Sequence, residues 1–160
     1  MLFRSAVRWR VLGFLALVVF SIARAEASDP ACGSAPNPIV KENCETGTAD
    51  WEVARYSPAI SGFASATSYA AGDTLRLFVT TDTPTFDIRI YRLGYYGGLG
   101  ARLMTRVDTV RGRRQPPCSE NASTGMTSCA GWTESFAMPI PADWVSGVYV
   151  ARLVRPGGEG

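Results

Sequence analysis

The stretch FDIRIYRLGYYGGLGARLM, residues 86–104, decides the fold. It begins as a strand whose apolar and polar residues alternate: Phe86, Ile88 and Ile90 against Asp87, Arg89 and Tyr91. A period of two is typical of a strand with one buried face. Four glycines between positions 94 and 100 then allow positive φ angles or close backbone contacts, and a second strand follows. The stretch therefore predicts the centre of a β domain.

Two further stretches extend this domain. In TLRLFVTT, residues 74–81, Leu75, Leu77 and Val79 share one face, and only four residues separate it from the first strand, so the two form a hairpin or a sandwich corner. In WVSGVYVARLV, residues 144–154, the Ser-Gly-x-Tyr sequence resembles the penultimate strand of an immunoglobulin-like sandwich. Tyr149 would lie at the corner and return its hydroxyl to upstream backbone, with Tyr149, Ala151 and Leu153 facing inward. No helical periodicity is sustained, and the predicted fold is an all-β, immunoglobulin-like β-sandwich.

Other strand candidates follow weaker patterns. They are residues 39–43, 51–56 with Trp51 and Val53 on one face, 60–69, 102–110 and 132–138. Residues 111–131 form the longest irregular segment, which needs a constraint to hold it.

The first 25 residues predict a signal peptide. Arg4, Arg8 and Arg10 form a basic head, an apolar run covers residues 11–20, and Ala23-Arg-Ala25 supplies a small-x-small cleavage site. The apolar run is shorter than the about 20 residues that span a bilayer, so we expect no membrane span after cleavage. Residues 26–38 read as an irregular lead-in, and residues 39–160 as one sandwich domain.

Signal cleavage changes the charge. It removes four arginines and leaves 12 basic against 14 acidic residues, a net charge of −2. The basic balance of the whole chain therefore gives no indication of nucleic-acid binding, and we expect no nucleic-acid partner.

The chain has four cysteines, all in the exported part: Cys32, Cys44, Cys118 and Cys129. An oxidising compartment favours disulfides there, and three pairings are possible. We favour Cys32 with Cys44 and Cys118 with Cys129, because each pair brackets a turn-rich polar segment. Closing such a loop contributes roughly 3 kcal/mol in the chain-entropy model.

Catalytic and metal-binding patterns are not evident. The chain contains no histidine, which excludes an ordinary Ser-His-Asp triad and weakens a zinc site. The close acid pairs are Glu42 with Glu45 and Asp50 with Glu52, and neither signals a glycosidase pair or a calcium site. We expect no catalytic residue and no metal in this segment.

The aromatic turn is the candidate binding or interdomain contact, through Tyr91, Tyr95, Tyr96 and Arg102. Tyrosine rings among glycines can form a stacking platform for a sugar or a contact surface for another domain. The alternative is that these rings close one end of the sandwich over its core. Nearby arginines could hold an anionic partner or form a solvated loop: Arg102, Arg106, Arg111, Arg113 and Arg114.

The sequence also resembles a known family. The segments that carry the likeness are residues 37–43, 47–51, 62–68, 90–102, 124–129 and 144–149, and the string IYRLGYYGGLGAR is the most specific of them. They resemble the amino-terminal, immunoglobulin-like region of proteins related to the large (beta) subunit of N,N-dimethylformamidase. The resemblance implies that amide hydrolysis and its iron site belong to a larger downstream domain, so that this segment needs no cofactor.

The resemblance also implies a final apolar strand after Val154, so we expect residues 39–160 to be a fragment lacking its last strand. The predicted role is a non-catalytic domain of a secreted or periplasmic protein, which packs on the downstream domain or joins another subunit. The alternative is a free-standing secreted module that binds carbohydrate or another surface through Tyr95 and Tyr96.

Overall fold

The computed structural model describes residue 32, residues 37–53 and residues 56–157. The predicted signal peptide and most of the lead-in lie outside the described residues. One short helix precedes eight strands: α1 Pro38–Asn43, β1 Ile60–Ala64, β2 Thr74–Thr81, β3 Thr85–Leu93, β4 Ala101–Arg111, β5 Ser119–Asn121, β6 Met126–Ser128, β7 Phe136–Pro139 and β8 Tyr149–Val154. No helix in this part of the chain is long and apolar enough to cross a membrane.

The strands form two three-stranded antiparallel sheets and a small hairpin. One sheet has the order β1-β2-β7 and the other the order β4-β3-β8, while β5 pairs with β6. The predicted all-β fold is confirmed. Strand β3 is central because it pairs with β4 on one side and with β8 on the other.

The hydrophobic core lies between the central strands of the two sheets. The residues whose alternation predicted burial are all buried there: Leu75, Leu77 and Val79 of β2, and Phe86, Ile88 and Ile90 of β3. Tyr91 departs from the pattern, because it belongs to the polar face of β3 and is nevertheless 0% exposed. Burial of a ring on the outer face means that another segment covers it.

The prediction of a strand over residues 39–43 is wrong, because this segment is the helix α1. Asn37 caps the helix by accepting a hydrogen bond from the Ile39 amide at 2.8 Å, and Pro38 occupies the first turn. Proline at this position is preorganised for a helix and loses no hydrogen bond. These local features override the strand preference of Ile39 and Val40.

The candidate strand over residues 51–56 is not observed in the described part of that segment. Thr48 makes an isolated bridge to Ala101, and Trp51 and Glu52 form a turn. The candidate over residues 60–69 ends at Ala64, because the Tyr69 hydroxyl accepts a hydrogen bond from the Ala66 amide at 2.9 Å and turns the chain.

The long segment after β4 is organised by side chains and a disulfide. It contains the β5–β6 hairpin, closed by the Cys118–Cys129 bridge, and Cys32–Cys44 forms a second bridge beside α1. This is the pairing that the sequence favoured. Strand β7 begins only at Phe136, because the Ser135 hydroxyl accepts from the Val79 amide at 3.0 Å and donates to the Val79 carbonyl at 3.1 Å. The Ser135 side chain thereby takes the place of a backbone hydrogen-bonded pair between this segment and β2.

The tyrosine corner predicted at Tyr149 is present. Its hydroxyl donates to the Val145 carbonyl at 2.5 Å, and its ring stacks on Trp144 with centroids 4.9 Å apart. Ala151 is the register partner of the buried Ile90 and so lies on the inner face, as expected, but it is exposed. It lies beside an open groove of 680 Å³ lined by Leu75, Ile90 and Trp144, among others.

We expect Val79→Ala to lower the free energy of unfolding by about 2 kcal/mol, because Val79 is 1% exposed and the change leaves a cavity between the sheets. Val148→Ala removes the same atoms from a side chain that is 63% exposed and should change stability by less than about 0.5 kcal/mol. Urea denaturation measures both, and equal losses would contradict this location of the core.

Candidate functional site

The aromatic turn between β3 and β4 is a tight loop that contains several positive φ angles. Residues Tyr96–Gly98 form a single tight turn, in which Gly97 has φ 66° and Gly98 has φ 89°. Tyr96 itself has φ 43°, which is uncommon for a residue with a side chain. Such a conformation persists only where surrounding contacts hold it.

The contacts that hold Tyr96 converge on the buried carboxylate of Glu42 in α1. Glu42 is 8% exposed, and the Tyr96 hydroxyl donates to its Oε1 at 3.0 Å. Arg102 Nη1 donates to both carboxylate oxygens, at 2.7 and 2.9 Å. Glu42, Asn43, Arg92, Tyr96 and Arg102 together are called the Glu42 cluster below.

Arg92 connects this cluster to the loop before β8. It is 2% exposed, and its Nη1 donates to the Tyr96 hydroxyl at 2.9 Å and to Asn43 Oδ1 at 3.3 Å. Its Nη2 donates to the Ser146 carbonyl at 2.9 Å. The Arg92 guanidinium also lies 6.0 Å from the centroid of the Tyr96 ring. One buried cation therefore joins α1, the aromatic turn and the β7–β8 loop.

Two glycines allow the helix and the turn to approach this closely. A Cβ at Gly94 would overlap Asn43 Oδ1, and a Cβ at Gly47 would overlap Cβ of Tyr96. Trp51 packs against the end of the aromatic turn, where its Nε1 donates a hydrogen bond to the Leu99 carbonyl at 3.0 Å. These glycines are explained by packing.

The electrostatics of the cluster favour a neutral Tyr96 and a charged Arg102. Burial raises the pKa of Tyr96 above its ordinary value of 10.0, Glu42 raises it further, and Arg92 acts in the opposite direction. The hydrogen bond from Arg102 to Glu42 raises the pKa of the Arg102 guanidinium. Every charged group of the Glu42 cluster therefore has a partner inside the cluster or on the backbone.

The four residues of the predicted binding or interdomain contact, Tyr91, Tyr95, Tyr96 and Arg102, lie in different environments. Tyr91 is fully buried on the outer face of β3, Tyr96 is 2% exposed, and Tyr95 is 61% exposed. The Arg102 side chain is 33% exposed and paired with Glu42. Tyr96 and Arg102 meet at one carboxylate, whereas the three tyrosine rings do not share a surface.

Sequence reasoning missed Glu42 and Arg92. In the sequence, Glu42 stands out only as a neighbour of Glu45, and Arg92 belongs to the family-like string of residues 90–102. The available signal was the Asn37-Pro38 pair, which begins a helix and places Glu42 on a turn that can face the sheet.

The predicted basic cluster is also divided. Arg106 pairs with Asp108 at 2.5 Å, and Arg113 Nη1 donates to Thr133 Oγ1 at 2.8 Å. Within the described ranges, no three His, Cys, Asp or Glu side chains are grouped closely enough to hold a metal ion.

These features define a disulfide-bonded β domain whose buried polar cluster closes one end. Residues 87–160 match the family model described as N,N-dimethylformamidase beta subunit-like, C-terminal. The match begins inside β3 and includes Arg92, Tyr96 and Arg102, but not Glu42. No curated protein and no solved structure matches the chain.

The match supports the protein type that the sequence resemblance indicated and corrects one part of it. We expected the amino-terminal region of such proteins, whereas the matched model describes their C-terminal part.

We expect Glu42→Gln to lower the free energy of unfolding by roughly 2–3 kcal/mol, because it leaves the Arg102 cation without its partner. Glu45→Gln changes an exposed carboxylate one turn along and should have little effect. Guanidinium chloride denaturation of both variants measures the difference. Equal stabilities would show that the Glu42 carboxylate does not hold the turn.

The raised pKa of Tyr96 predicts a loss of stability in alkali. Above pH 10 the unfolded chain releases the tyrosine proton while the folded chain retains it, so the free energy of unfolding falls as pH rises through the folded pKa. We expect Tyr96→Phe to show a shallower decline than the wild type. Tyr95→Phe, which alters an exposed ring, should keep the wild-type slope. Urea midpoints measured from pH 9 upward test this, and identical slopes for all three proteins would contradict it.

Proposed function

We propose that the mature chain serves as a non-catalytic β-sandwich domain of a secreted or periplasmic N,N-dimethylformamidase beta subunit-like protein. Its role is to pack against a larger domain of that protein or to assemble it with another subunit. The match of residues 87–160 to that family model carries the proposal.

The hydrogen bonding of the buried Glu42 carboxylate supports a non-catalytic role. A catalytic acid or base needs a proton-transfer partner within reach of substrate. Glu42 is the one buried carboxylate among the described residues, and its oxygens are engaged by Arg102 and Tyr96. These bonds hold the turn in place and engage the Glu42 carboxylate within the cluster.

The outside of the same end supports a packing role. Large apolar side chains are exposed on α1 and on the turn: Ile39 41%, Val40 38%, Tyr95 61% and Leu99 44%. The Glu42 cluster fixes these two elements against each other, so that the side chains belong to one end of the sandwich. Exposed apolar groups on a rigid frame suit contact with another domain. We call these four residues the apolar end.

The two disulfides support the proposed secreted or periplasmic location. Bridges such as Cys32–Cys44 and Cys118–Cys129 persist in oxidising surroundings outside the cytoplasm.

The size of the native protein tests the proposal. An antibody against residues 86–107 should detect, in the producing cells or their medium, a species much larger than this chain. The chain purified alone should release no dimethylamine from N,N-dimethylformamide. A native product no larger than the chain, or hydrolysis by the chain itself, would contradict the proposal, and glycan binding by such a product would favour the binding module.

A matched pair of substitutions tests the apolar end in that native protein. Leu99→Arg should expose new protease sites between the domains, because it places a charge in the contact. Met126→Arg, on a side chain that is 71% exposed in the β5–β6 hairpin, should leave the digestion pattern unchanged. Identical patterns would show that the apolar end is not the contact.

A further inference from the structure

Three arginines lie side by side across the outer face of the β4-β3-β8 sheet. Arg89 of β3 is the register partner of Arg106 of β4 and of Arg152 of β8. Directly opposite residues on neighbouring strands have their side chains on the same face, about 5 Å apart at Cβ. Like charges in this position repel each other, so the row needs negative partners.

Within the described part of the chain, Arg106 is the one arginine of the row that forms ion pairs with carboxylates. Arg106 is paired with Asp108 at 2.5 Å and with Asp87 at 3.7 Å. Arg152 Nη1 donates to the Asp50 main-chain carbonyl at 2.5 Å, which carries no net charge. Arg89 forms no ion pair with any described residue, and its partly buried side chain interacts with the Tyr91 hydroxyl.

Two arginine nitrogens in this row are shielded from solvent and have no hydrogen-bond partner: Arg89 Nε and Arg152 Nε. Tyr91 follows Arg89 by two residues on the same face. The two groups are near enough that Arg89 acts to lower the Tyr91 pKa, against the larger raising effect of burial and the raising effect of Asp50. An arginine Nε can only donate, so these positions require an acceptor.

We propose that Arg89, with Arg152 and the Tyr91 hydroxyl beside it, forms a binding site for a carboxylate. The planar fork of a guanidinium matches the two oxygens of a carboxylate, and a neighbouring arginine and hydroxyl add further donors. Arg89 as a whole is only partly buried, so its side chain keeps exposed atoms that an oxyanion can approach. The carboxylate belongs to a small organic acid or to an Asp or Glu side chain of a docking polypeptide. This inference does not depend on the proposed function.

Nitrogen-15 spectra of the arginine Nε–H groups of the full chain test the site. Sodium acetate and the blocked peptide acetyl-Gly-Glu-Gly-amide are titrated separately at constant ionic strength, with chloride as the balancing anion. Saturable shifts of the Arg89 and Arg152 signals are expected. Saturation by acetate identifies a small acid as sufficient, and saturation by the peptide alone identifies a side-chain carboxylate. No saturable shift with either probe would overturn the proposal.

Matched variants separate the site from general charge effects. Arg89→Gln should weaken binding by about tenfold or more, the loss of one charge-assisted hydrogen bond. Arg114→Gln removes the same charge from an exposed loop position and should bind as the wild type does. Should Arg89→Gln fail to fold, Arg152→Gln provides the same comparison. Unchanged binding in the folded variant would overturn the proposal.

Discussion

The ion pair between Glu42 and Arg102 is the interaction on which one end of the structure depends. It joins a six-residue helix, too short to be stable alone in water, to the first residues of β4. The Tyr96 hydroxyl adds a bond to the same carboxylate, and Arg92 extends the network to the β7–β8 loop. The turn therefore owes its unusual backbone conformation to contacts made 54 residues away in sequence.

The core of the sandwich was predictable because strand periodicity is a local signal. Alternation in β2 and β3 identified the buried faces, and Ser-Gly-x-Tyr identified the corner at Tyr149. The helix α1 was missed because Ile39 and Val40 suggest a strand, whereas the Asn37 cap and Pro38 decide the outcome. Strand β7 was placed too early because Ser135 replaces a backbone pair with its side chain, which no periodicity reveals.

The candidate site was less predictable than the fold. Tyr91, Tyr95 and Tyr96 are similar in sequence and near one another, but the structure gives each a different environment. Because side chains alternate along a strand, Tyr91 lies on the outer face of β3. The tight turn that follows buries Tyr96 and leaves Tyr95 exposed. The partner of Tyr96 lies in α1, and a contact of that sequence separation cannot be inferred from local pattern. Local pattern therefore identifies the turn as a structural feature but not its partner Glu42.

The two faces of the β4-β3-β8 sheet have different character. The inner face is apolar and ends in the fully paired Glu42 cluster. The outer face carries Arg89, Arg106 and Arg152 side by side, and the Nε atoms of Arg89 and Arg152 lack acceptors. Paired polar groups stabilise a fold, whereas a shielded polar group without a partner costs free energy and calls for an explanation. The buried polar groups of the sheet are thus fully paired at the aromatic turn and incompletely paired on the outer face.

A double-mutant cycle between Glu42→Gln and Tyr96→Phe tests most directly whether the aromatic turn is held by the buried carboxylate. Denaturation free energies of the wild type, both single variants and the double variant give the coupling between the two side chains. The account predicts a coupling of about 1 kcal/mol or more, since the hydroxyl donates to the carboxylate at 3.0 Å. Additive losses would mean that the two groups stabilise the protein independently, and the turn would then need another explanation.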